Sequence, residues 1–228
     1  MKNQTLQIAI DGPSGAGKST MARMLAKELS FLYVDTGAMY RSIGLYASRR
    51  GIELSEIQKI LPLLNEISIQ LEWIGGAQHI FLCGEDVSEE IRTEKISRYA
   101  SAVSALPEVR RFLLDLQRQL ASRHNVIMDG RDIGTVILPD AQVKIFLTAS
   151  PEKRAMRRYE ELKAKGQTVT YEAVYQDLLQ RDQQDSSRQA APLKAAEDAV
   201  LLSSTEYTLE ETLTKMKEII TEKCGHVI

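Results

Sequence analysis

The chain has 228 residues, of which 43% are hydrophobic and 26% charged, and its formal net charge is −2. This length allows one sizeable core with small appendages, and the composition is typical of a globular protein. A net charge so close to zero argues against a nucleic-acid partner, because binding to a phosphate backbone usually needs a large basic surplus. The two cysteines, Cys83 and Cys224, are far apart, which argues against a disulfide framework or a zinc site and favours a reducing compartment.

The N-terminal residues lead directly into a short apolar run. No run in the sequence reaches the roughly 20 apolar residues that a membrane helix needs. We therefore expect no signal peptide, no membrane partner and a cytoplasmic location.

Short apolar runs alternate with segments of helical periodicity along the chain. The runs predict strands at residues 6–10, 31–34, 126–128, 143–147 and 199–202. The helical segments are residues 18–29, 108–122, 151–165, 171–181 and 209–224. This alternation predicts a parallel sheet with helices on both faces, because strands without polar alternation are buried on both sides.

One region breaks the alternation of strand and helix. Residues 68–73 and 79–82 flank Gly75-Gly76 and predict a hairpin. We interpret residues from about 60 to 100 as an insertion that carries its own small antiparallel sheet.

A complete P-loop pattern, Gly-x-x-x-x-Gly-Lys-Ser, lies between the first predicted strand and the first predicted helix. Glycines at this spacing let the backbone surround a β-phosphate with its N–H groups turned inward, and the helix adds its positive N-terminal end. Lys18 would reach the β- and γ-phosphates, and the Ser19 hydroxyl would bind Mg²⁺. The pattern predicts binding of a nucleoside triphosphate by Gly12, Pro13, Ser14, Gly15, Ala16, Gly17, Lys18, Ser19 and Thr20. The alternative is a glycine-rich turn without function, and the flanking strand and helix argue against it.

Asp129 follows the predicted strand 126–128. A carboxylate at the tip of a buried strand is where P-loop proteins hold Mg²⁺, directly or through water. A helix-capping or turn aspartate is the alternative, and the two roles are compatible.

Two arginines follow predicted strands at the sheet edge where ligands bind in open α/β folds. Arg41 belongs to the stretch Asp35-Thr36-Gly37-Ala38-Met39-Tyr40-Arg41, and Arg131 belongs to Gly130-Arg131-Asp132. A guanidinium group binds a phosphate in a forked geometry, so the two side chains could converge on one phosphate. Taken singly, either arginine would more often be a member of a surface ion pair.

Three further arginines, Arg154, Arg157 and Arg158, have the spacing i, i+3, i+4 and share one face of a predicted helix. A solvated basic stripe is the simplest interpretation. Phosphoryl transfer, however, needs positive charge over the γ-phosphate, and a mobile lid that brings arginines down would also exclude water. Arg181, Asp185 and Arg188 share a face of the following helix if that helix continues, although an i, i+4 ion pair needs no function.

Five stretches in this order carry a resemblance to a known family: GPSGAGKST, VDTGAMYR, DGRDIGTVI, DLLQRDQQDSSR and APLKAAEDAV. Together they resemble the bacterial cytidylate kinases, the (d)CMP kinases of the nucleoside monophosphate (NMP) kinase group. The resemblance covers essentially the whole chain. A P-loop alone occurs in many functions, whereas DTGAMYR together with GRDIGT is specific.

The resemblance implies an α/β fold of the P-loop three-layer α/β/α type, with a five-stranded parallel sheet and an adenylate-kinase-like core. It implies a single kinase domain over residues 1–228, with an NMP-binding subdomain at about 38–105 and a lid at about 153–169. The reaction implied is transfer of the γ-phosphoryl group of ATP to CMP or dCMP, with Mg²⁺ as cofactor. The residues that we predict to be catalytic are Lys18, Arg131, Arg154, Arg157 and Arg158.

The resemblance also implies how CMP is bound. Arg41 and Arg131 would bind its phosphate, and Asp185, supported by Arg181, would bind the ribose. Cytosine would be recognised by Ser101, Arg110, Asp132 and Arg188. Many relatives carry serine where this chain has Thr36, which keeps the hydroxyl group, so we expect a slight change in packing and no loss of function.

Two other functions remain possible from the sequence. Another P-loop small-molecule kinase, such as a shikimate kinase or a UMP-type kinase, would share the P-loop, although a shikimate kinase gives no reason for the insertion. A nucleotide-binding switch without transfer would leave both sets of arginines unexplained, and the NKxD and DxxG motifs typical of guanine-specific GTPases do not occur in the chain. We expect a monomer that acts on small nucleotides.

Overall fold

The structure, a computed structural model, describes residues 5–225. Its strands are β1 (Gln7–Asp11), β2 (Leu32–Asp35), β3 (Ile69–Ile74), β4 (Ala77–Leu82), β5 (Glu85–Asp86), β6 (Val126–Gly130), β7 (Val143–Thr148) and β8 (Val200–Ser203). Its α-helices are α1 (Lys18–Leu29), α2 (Thr36–Arg49), α3 (Glu94–Ser104), α4 (Pro107–Arg123), α5 (Pro151–Ala164), α6 (Tyr171–Ser187) and α7 (Leu209–Cys224). Two 3₁₀ segments, Leu54–Glu66 and Glu90–Arg92, and a π-helical turn, Ile133–Ile137, complete the regular structure of the described residues.

The main sheet has five strands in the order β2-β6-β1-β7-β8 and is parallel, as the sequence predicts. In the central strand β1, Ile8 lies opposite Ile127 of β6 and Val143 of β7. The strands on either side of β1 are buried along most of their length, which agrees with their continuous apolar runs. The expected α/β fold class is confirmed.

One face of this sheet packs against α1 and α7. Ile8 and Ile10 of β1 share a core cluster with Leu25 of α1 and Met216 of α7. Burial of each such side chain contributes about 1.5–3 kcal/mol to the hydrophobic stabilisation. The opposite face is covered too, because Met128 is fully buried there.

Short-range signals fix the ends of several helices. α1 begins directly after Gly17, the last glycine of the P-loop, whose φ is 93°. α7 begins with a capping box in which Thr208 and Glu211 each accept a hydrogen bond from the other's backbone N–H. α5 begins behind Ser150, with Pro151 in its first turn.

Of the described residues, 5–33 and 123–225 form one compact unit, and residues 34–122 form a second. In the second unit α2 packs closely on α3. A Cβ atom at Gly44 of α2 would lie 2.9 Å from the Tyr99 Cβ of α3, so glycine permits this close approach. The NMP-binding subdomain at about 38–105 and the lid at about 153–169 stay predictions.

The second unit also contains a small antiparallel sheet in the order β3-β4-β5. β3 and β4 form a hairpin across Gly75-Gly76, where φ is 60° and 80°. Positive φ at both central residues matches the right-handed twist of the two strands, which is why glycine stands at both positions.

Sequence patterns did not identify α2 or α3. α2 contains Gly37 and Gly44, which lower its helix propensity, and its stability comes from packing against α3. α6 extends to Ser187, beyond the predicted end at residue 181, so Asp185 lies inside the helix and Arg188 directly after it.

None of the helices within residues 5–225 is long and apolar enough to cross a membrane. The expectation of no signal peptide rests largely on residues 1–4, which lie outside the described residues.

Candidate active site

The P-loop joins β1 to α1, and its first glycine is required by its position against the sheet. Gly12 has a φ of 147°, and a Cβ atom there would lie 1.9 Å from the Leu147 carbonyl oxygen of β7. A side chain at this position would push the loop away from β7, so only glycine fits. The loop therefore starts at the carboxyl end of β1, and its remaining residues lead to the N-terminus of α1.

Lys18 is the buried cation of this loop. Its side chain is nearly enclosed, and Nζ donates a 2.7 Å hydrogen bond to the Pro13 carbonyl oxygen. Burial, followed by the positive charge of Arg131, lowers the pKa of Lys18 to about 7 against the opposing effect of Asp129 and other carboxylates. A bound polyphosphate would supply the negative charge that this ammonium group needs.

Ser19 and Asp129 lie together, as a magnesium site would require. The Ser19 hydroxyl donates a 2.8 Å hydrogen bond to Asp129 Oδ2, and the Tyr33 hydroxyl donates a 2.9 Å bond to Oδ1. A hydroxyl and a carboxylate are hard oxygen donors, and Mg²⁺ usually takes only one or two carboxylates besides water and phosphate oxygens. The donor set therefore fits Mg²⁺. Tyr33 was not singled out from the sequence because a tyrosine within a strand carries no motif.

Asp11 is a further site residue that sequence patterns missed. Its carboxylate is buried and accepts hydrogen bonds of 2.7 Å from the backbone N–H groups of both Ile133 and Gly134. It precedes Gly12 directly, so one side chain joins the start of the P-loop to the segment that follows Arg131 and Asp132. The available signal was the same as for Asp129, a carboxylate at the carboxyl end of a buried strand.

Arg131, Asp132, Asp185 and Arg188 form an ion-pair cluster, called here the arginine–aspartate cluster. Arg131 Nε donates a 2.7 Å hydrogen bond to Asp185 Oδ2. Arg188 lies between two carboxylates, 3.6 Å from Asp185 Oδ1 and 3.8 Å from Asp132 Oδ1. Burial is the largest single effect and opposes ionisation of Asp185, but the charge and hydrogen bond of Arg131, together with the charges of Arg188 and Arg181, hold the pKa of Asp185 below its usual range.

The local structure around α6 explains how this cluster forms. α6 ends at Ser187, and Arg188 has an extended backbone with its Nε donating to the Ala191 carbonyl oxygen at 2.6 Å. Arg181 lies one turn before Asp185 and pairs with Asp177 at 3.9 Å. The sequence spacing thus brings Asp185 and Arg188 together, although not as members of one continuous helix.

The remaining predicted CMP-binding residues belong to the second unit. Arg41 forms a 2.8 Å ion pair with Asp35, which also accepts a hydrogen bond from the Ala38 N–H and so caps α2. Arg110 lies 5.6 Å from the centre of the Tyr40 ring and donates to the Ser104 carbonyl oxygen. Thr36 is buried at the first position of α2, and Ser101 lies on α3.

The three arginines of α5 have different surroundings. Arg154 is buried and contacts the P-loop at the Ser14 carbonyl oxygen. Arg157 donates to both the hydroxyl and the carbonyl oxygen of Ser204, at 3.1 and 2.8 Å. Arg158 pairs with Glu161 one turn along the helix. A shared helical face therefore does not mean a shared target, and the role predicted for these arginines over a γ-phosphate stays a prediction.

Comparison with known proteins agrees with the resemblance seen in the motifs. The sequence model of the cytidylate kinase family matches residues 8–222. The cytidylate kinase of Caldicellulosiruptor saccharolyticus is 49% identical over 223 residues, which cover 98% of this chain and 99% of the relative. The cytidylate kinase of Caldanaerobacter subterraneus subsp. tengcongensis is 52% identical over 220 residues, or 96% of each chain.

A solved structure, that of an uncharacterized protein from Eubacterium ventriosum, shares the fold alone. Its TM-score is 0.50 at 12% identity, over 94% of this chain and 98% of the other. The assignment to a family rests on the sequence matches, which extend through the P-loop, the GRDIGT segment and α6. By these matches, the chain belongs to the cytidylate kinase family.

Proposed function

We propose that this nucleoside monophosphate kinase transfers the γ-phosphoryl group of ATP to CMP or dCMP and releases ADP with CDP or dCDP. The observation that supports it most is the presence, in one compact unit, of a P-loop next to the Ser19–Asp129 pair and of the buried arginine–aspartate cluster. The first is suited to a triphosphate, and the second to a nucleotide that carries both a phosphate and polar base edges.

ATP is held by the residues Gly12 to Thr20 in this proposal. The loop N–H groups and the N-terminus of α1 bind the β-phosphate, and Lys18 reaches the β- and γ-phosphates. Mg²⁺ would be held by Ser19 directly and by Asp129 directly or through water. When bound, the ion would supply positive charge that stabilises the negative charge of the phosphoryl group in transfer.

The resemblance to the cytidylate kinases assigns the residues that bind CMP, and their chemistry agrees with that assignment. Arg131 and Arg41 bind the phosphate, and Asp185, supported by Arg181, binds the ribose hydroxyls. Cytosine offers an amine donor and two acceptors, so Asp132 or Ser101 accepts from the amine while Arg188 and Arg110 donate. Uracil reverses this pattern at two positions and would leave polar groups unpaired, which can cost about 10⁴-fold in a site built to hydrogen-bond.

Transfer needs no general base in this site. An α-phosphate oxygen of CMP is already anionic near neutral pH, since its second pKa is about 6. This oxygen bonds to the γ-phosphorus as the bond to the β,γ-bridging oxygen breaks, and ADP leaves. Lys18 and Arg131, with Arg154, Arg157 and Arg158 as further candidates, would supply positive charge, so alignment and charge carry the catalysis.

The test is a comparison of acceptors with ATP and Mg²⁺ present. CMP, dCMP, UMP, AMP, GMP and shikimate are incubated separately, and both ADP and the new phosphorylated product are resolved by chromatography. We expect CDP and dCDP to form fastest. Preference for another acceptor would overturn the assignment to cytosine, and tight nucleotide binding without any product would indicate a nucleotide-binding switch.

Arg188→Ala tests the proposed role of Arg188 in recognising cytosine. Replacing Arg188 with alanine should reduce the ratio of kcat/KM for CMP to that for UMP by at least about tenfold. Lys18→Ala is the matched control, because it should lower both rates and leave the ratio unchanged. An unchanged ratio in Arg188→Ala would show that Arg188 does not recognise the base.

We also propose a monomer, because a P-loop core of this size can act alone. The near-neutral net charge argues against a nucleic-acid partner, and the two separated cysteines favour a cytoplasmic location. Light scattering and a nucleic-acid binding assay would test the first two.

A further inference from the structure

Arg154 of α5 holds three separate parts of the protein. Its Nε donates a 2.9 Å hydrogen bond to the Ala149 carbonyl oxygen, and Nη1 donates a 3.0 Å bond to the Ser14 carbonyl oxygen. Nη2 forms a 2.7 Å ion pair with Asp182 Oδ2 of α6. Arg154 is only 3% exposed, so these protein groups surround the guanidinium on its donor edges. This is the environment of a fixed structural group.

The contact with Ser14 acts on the backbone of the P-loop itself. A peptide unit is planar and trans, so its C=O and its N–H point in opposite directions. By holding the Ser14 carbonyl oxygen towards α5, Arg154 turns the N–H of Gly15 away from α5. The orientation of such N–H groups is what allows a P-loop to bind a β-phosphate.

The loop lies directly against Arg154. A Cβ atom at Gly15 would lie 3.1 Å from the Arg154 Cβ and 3.2 Å from the Arg154 carbonyl oxygen. Glycine at this position, with its φ of 74°, therefore permits both the turn of the loop and its close approach to α5.

Asp182 forms its ion pair with Arg154 through one carboxylate oxygen. Its Oδ2 makes the ion pair, whereas its Oδ1 is buried without a hydrogen-bond partner among the described residues. Asp182 lies three residues before Asp185, whose carboxylate holds Arg131. The helix α6 thus carries both Asp182, which pairs with Arg154, and Asp185, which pairs with Arg131 in the arginine–aspartate cluster.

We propose that Arg154 and Asp182 are positioning residues of the donor site, which fix the Ser14–Gly15 peptide so that the P-loop is preorganised for the β-phosphate. The proposal rests on the ATP-binding role proposed for the loop. It replaces, for Arg154, the direct contact with the γ-phosphate that the sequence pattern suggested. A fork of this geometry is specific to arginine, since a lysine ammonium cannot reach three acceptors in a plane.

ADP and ATP separate the two roles, because ADP has a β-phosphate and lacks the γ-phosphate. The affinities of both nucleotides, with Mg²⁺, are measured by calorimetry for the unaltered chain, Arg154→Met, Arg154→Lys and Asp182→Asn. We expect ADP and ATP to weaken together, by about tenfold or more in Arg154→Met, since a charge-assisted hydrogen bond is lost. Asp182→Asn should weaken both in the same sense, although Asp182 contacts no nucleotide in the proposal.

The control is an ion pair of the same length that lies at the surface. Lys217 of α7 and Glu28 of α1 pair at 2.7 Å, and Lys217→Met or Glu28→Gln should leave both affinities unchanged. Thermal unfolding of each variant identifies any loss of folding. If Arg154→Met does not fold, Arg154→Lys and Asp182→Asn decide the question, because each preserves most of the side chain's volume.

A loss of ATP affinity with ADP affinity unchanged in the Arg154 variants would overturn the proposal and restore the γ-phosphate contact. Normal ADP affinity in Asp182→Asn would overturn the role of the pair. An unaltered chain that binds ADP and does not phosphorylate CMP would contradict the proposed function alone, because ADP binding does not depend on the acceptor.

Discussion

At the scale of single residues, the site contains two ionisable side chains, Lys18 and Asp11, whose burial opposes their charged forms. Lys18 and Asp11 are seven residues apart in the sequence, and burial shifts the pKa of each in the direction that favours its neutral form. The pKa of Lys18 falls to about 7, and that of Asp11 rises to about 6, because burial outweighs the two amide hydrogen bonds that Asp11 accepts. A site that must hold a polyphosphate keeps a cation in a place where a cation alone is costly.

Asp11→Asn tests the cost of burying the ionised Asp11 carboxylate, through the pH dependence of the free energy of unfolding. The pKa of Asp11 in the folded protein, about 6, lies above the ordinary value of 3.8, so between these values the folded state binds a proton that the unfolded chain has released. Its contribution to stability is therefore fully present below about pH 4 and lost as the pH rises through 6.

We expect the difference in free energy of unfolding between the unaltered chain and Asp11→Asn to fall by up to about 3 kcal/mol from pH 4 to pH 7. Urea unfolding at several pH values measures it. A difference that stays constant, or grows with pH, would show that the amide bonds keep Asp11 ionised.

At the scale of elements, the P-loop between β1 and α1 contacts elements that are distant from it in sequence. The loop passes close to β7 at Gly12 and to α5 at Gly15, so two of its glycines are set by neighbours distant in sequence. α6 adds to this junction indirectly, through Asp182 and Arg154. The elements that flank the loop thus determine its backbone as much as its own residues do.

Gly12→Ala should destabilise the first unit severely. Its Cβ would lie 1.9 Å from the Leu147 carbonyl oxygen, so either β7 or the loop must move. We expect a loss of more than about 3 kcal/mol in the free energy of unfolding, by urea denaturation.

Gly166→Ala is the matched control for Gly12→Ala. Its φ of 73° is also positive, but no atom lies within 4 Å of the position of its Cβ, so only the backbone penalty of about 1–2 kcal/mol applies. Equal losses in the two variants would mean that the contact with β7 does not determine the choice of glycine at position 12.

At the scale of the whole molecule, ligand binding should stabilise the fold in a way that depends on Mg²⁺. A ligand at 100 times its dissociation constant adds about 2.7 kcal/mol, which raises the unfolding temperature by several degrees. We expect ATP with Mg²⁺ to raise it more than ATP with a chelator, and CDP formation to stop when Mg²⁺ is removed.

Asp129→Ala should reduce this difference, since Asp129 is the carboxylate proposed to hold the ion. Thermal unfolding with and without chelator measures it. An equal shift under both conditions, in the unaltered chain, would contradict the proposed magnesium site at Ser19 and Asp129.

Much of the fold could be predicted from the sequence because its signals are local. A buried parallel strand must be continuously apolar, so the five strands of the main sheet were visible as runs. The P-loop is a contiguous pattern, and α1 was predicted with the bounds that the structure has, Lys18–Leu29. The family could be predicted as well, since its motifs are specific and appear in order along the chain.

Only the tertiary structure decided which side chains meet. Arg154 shares a helical face with Arg157 and Arg158, yet it binds a loop 140 residues earlier in the chain, because α5 lies against the P-loop. Asp11 caps a turn that begins 122 residues later. α2 forms although two glycines weaken it, because its packing against α3 supplies what propensity does not. Local patterns determine strands, helices and contiguous loops, whereas the partner of a buried charge is determined by the packing of elements that the sequence keeps far apart.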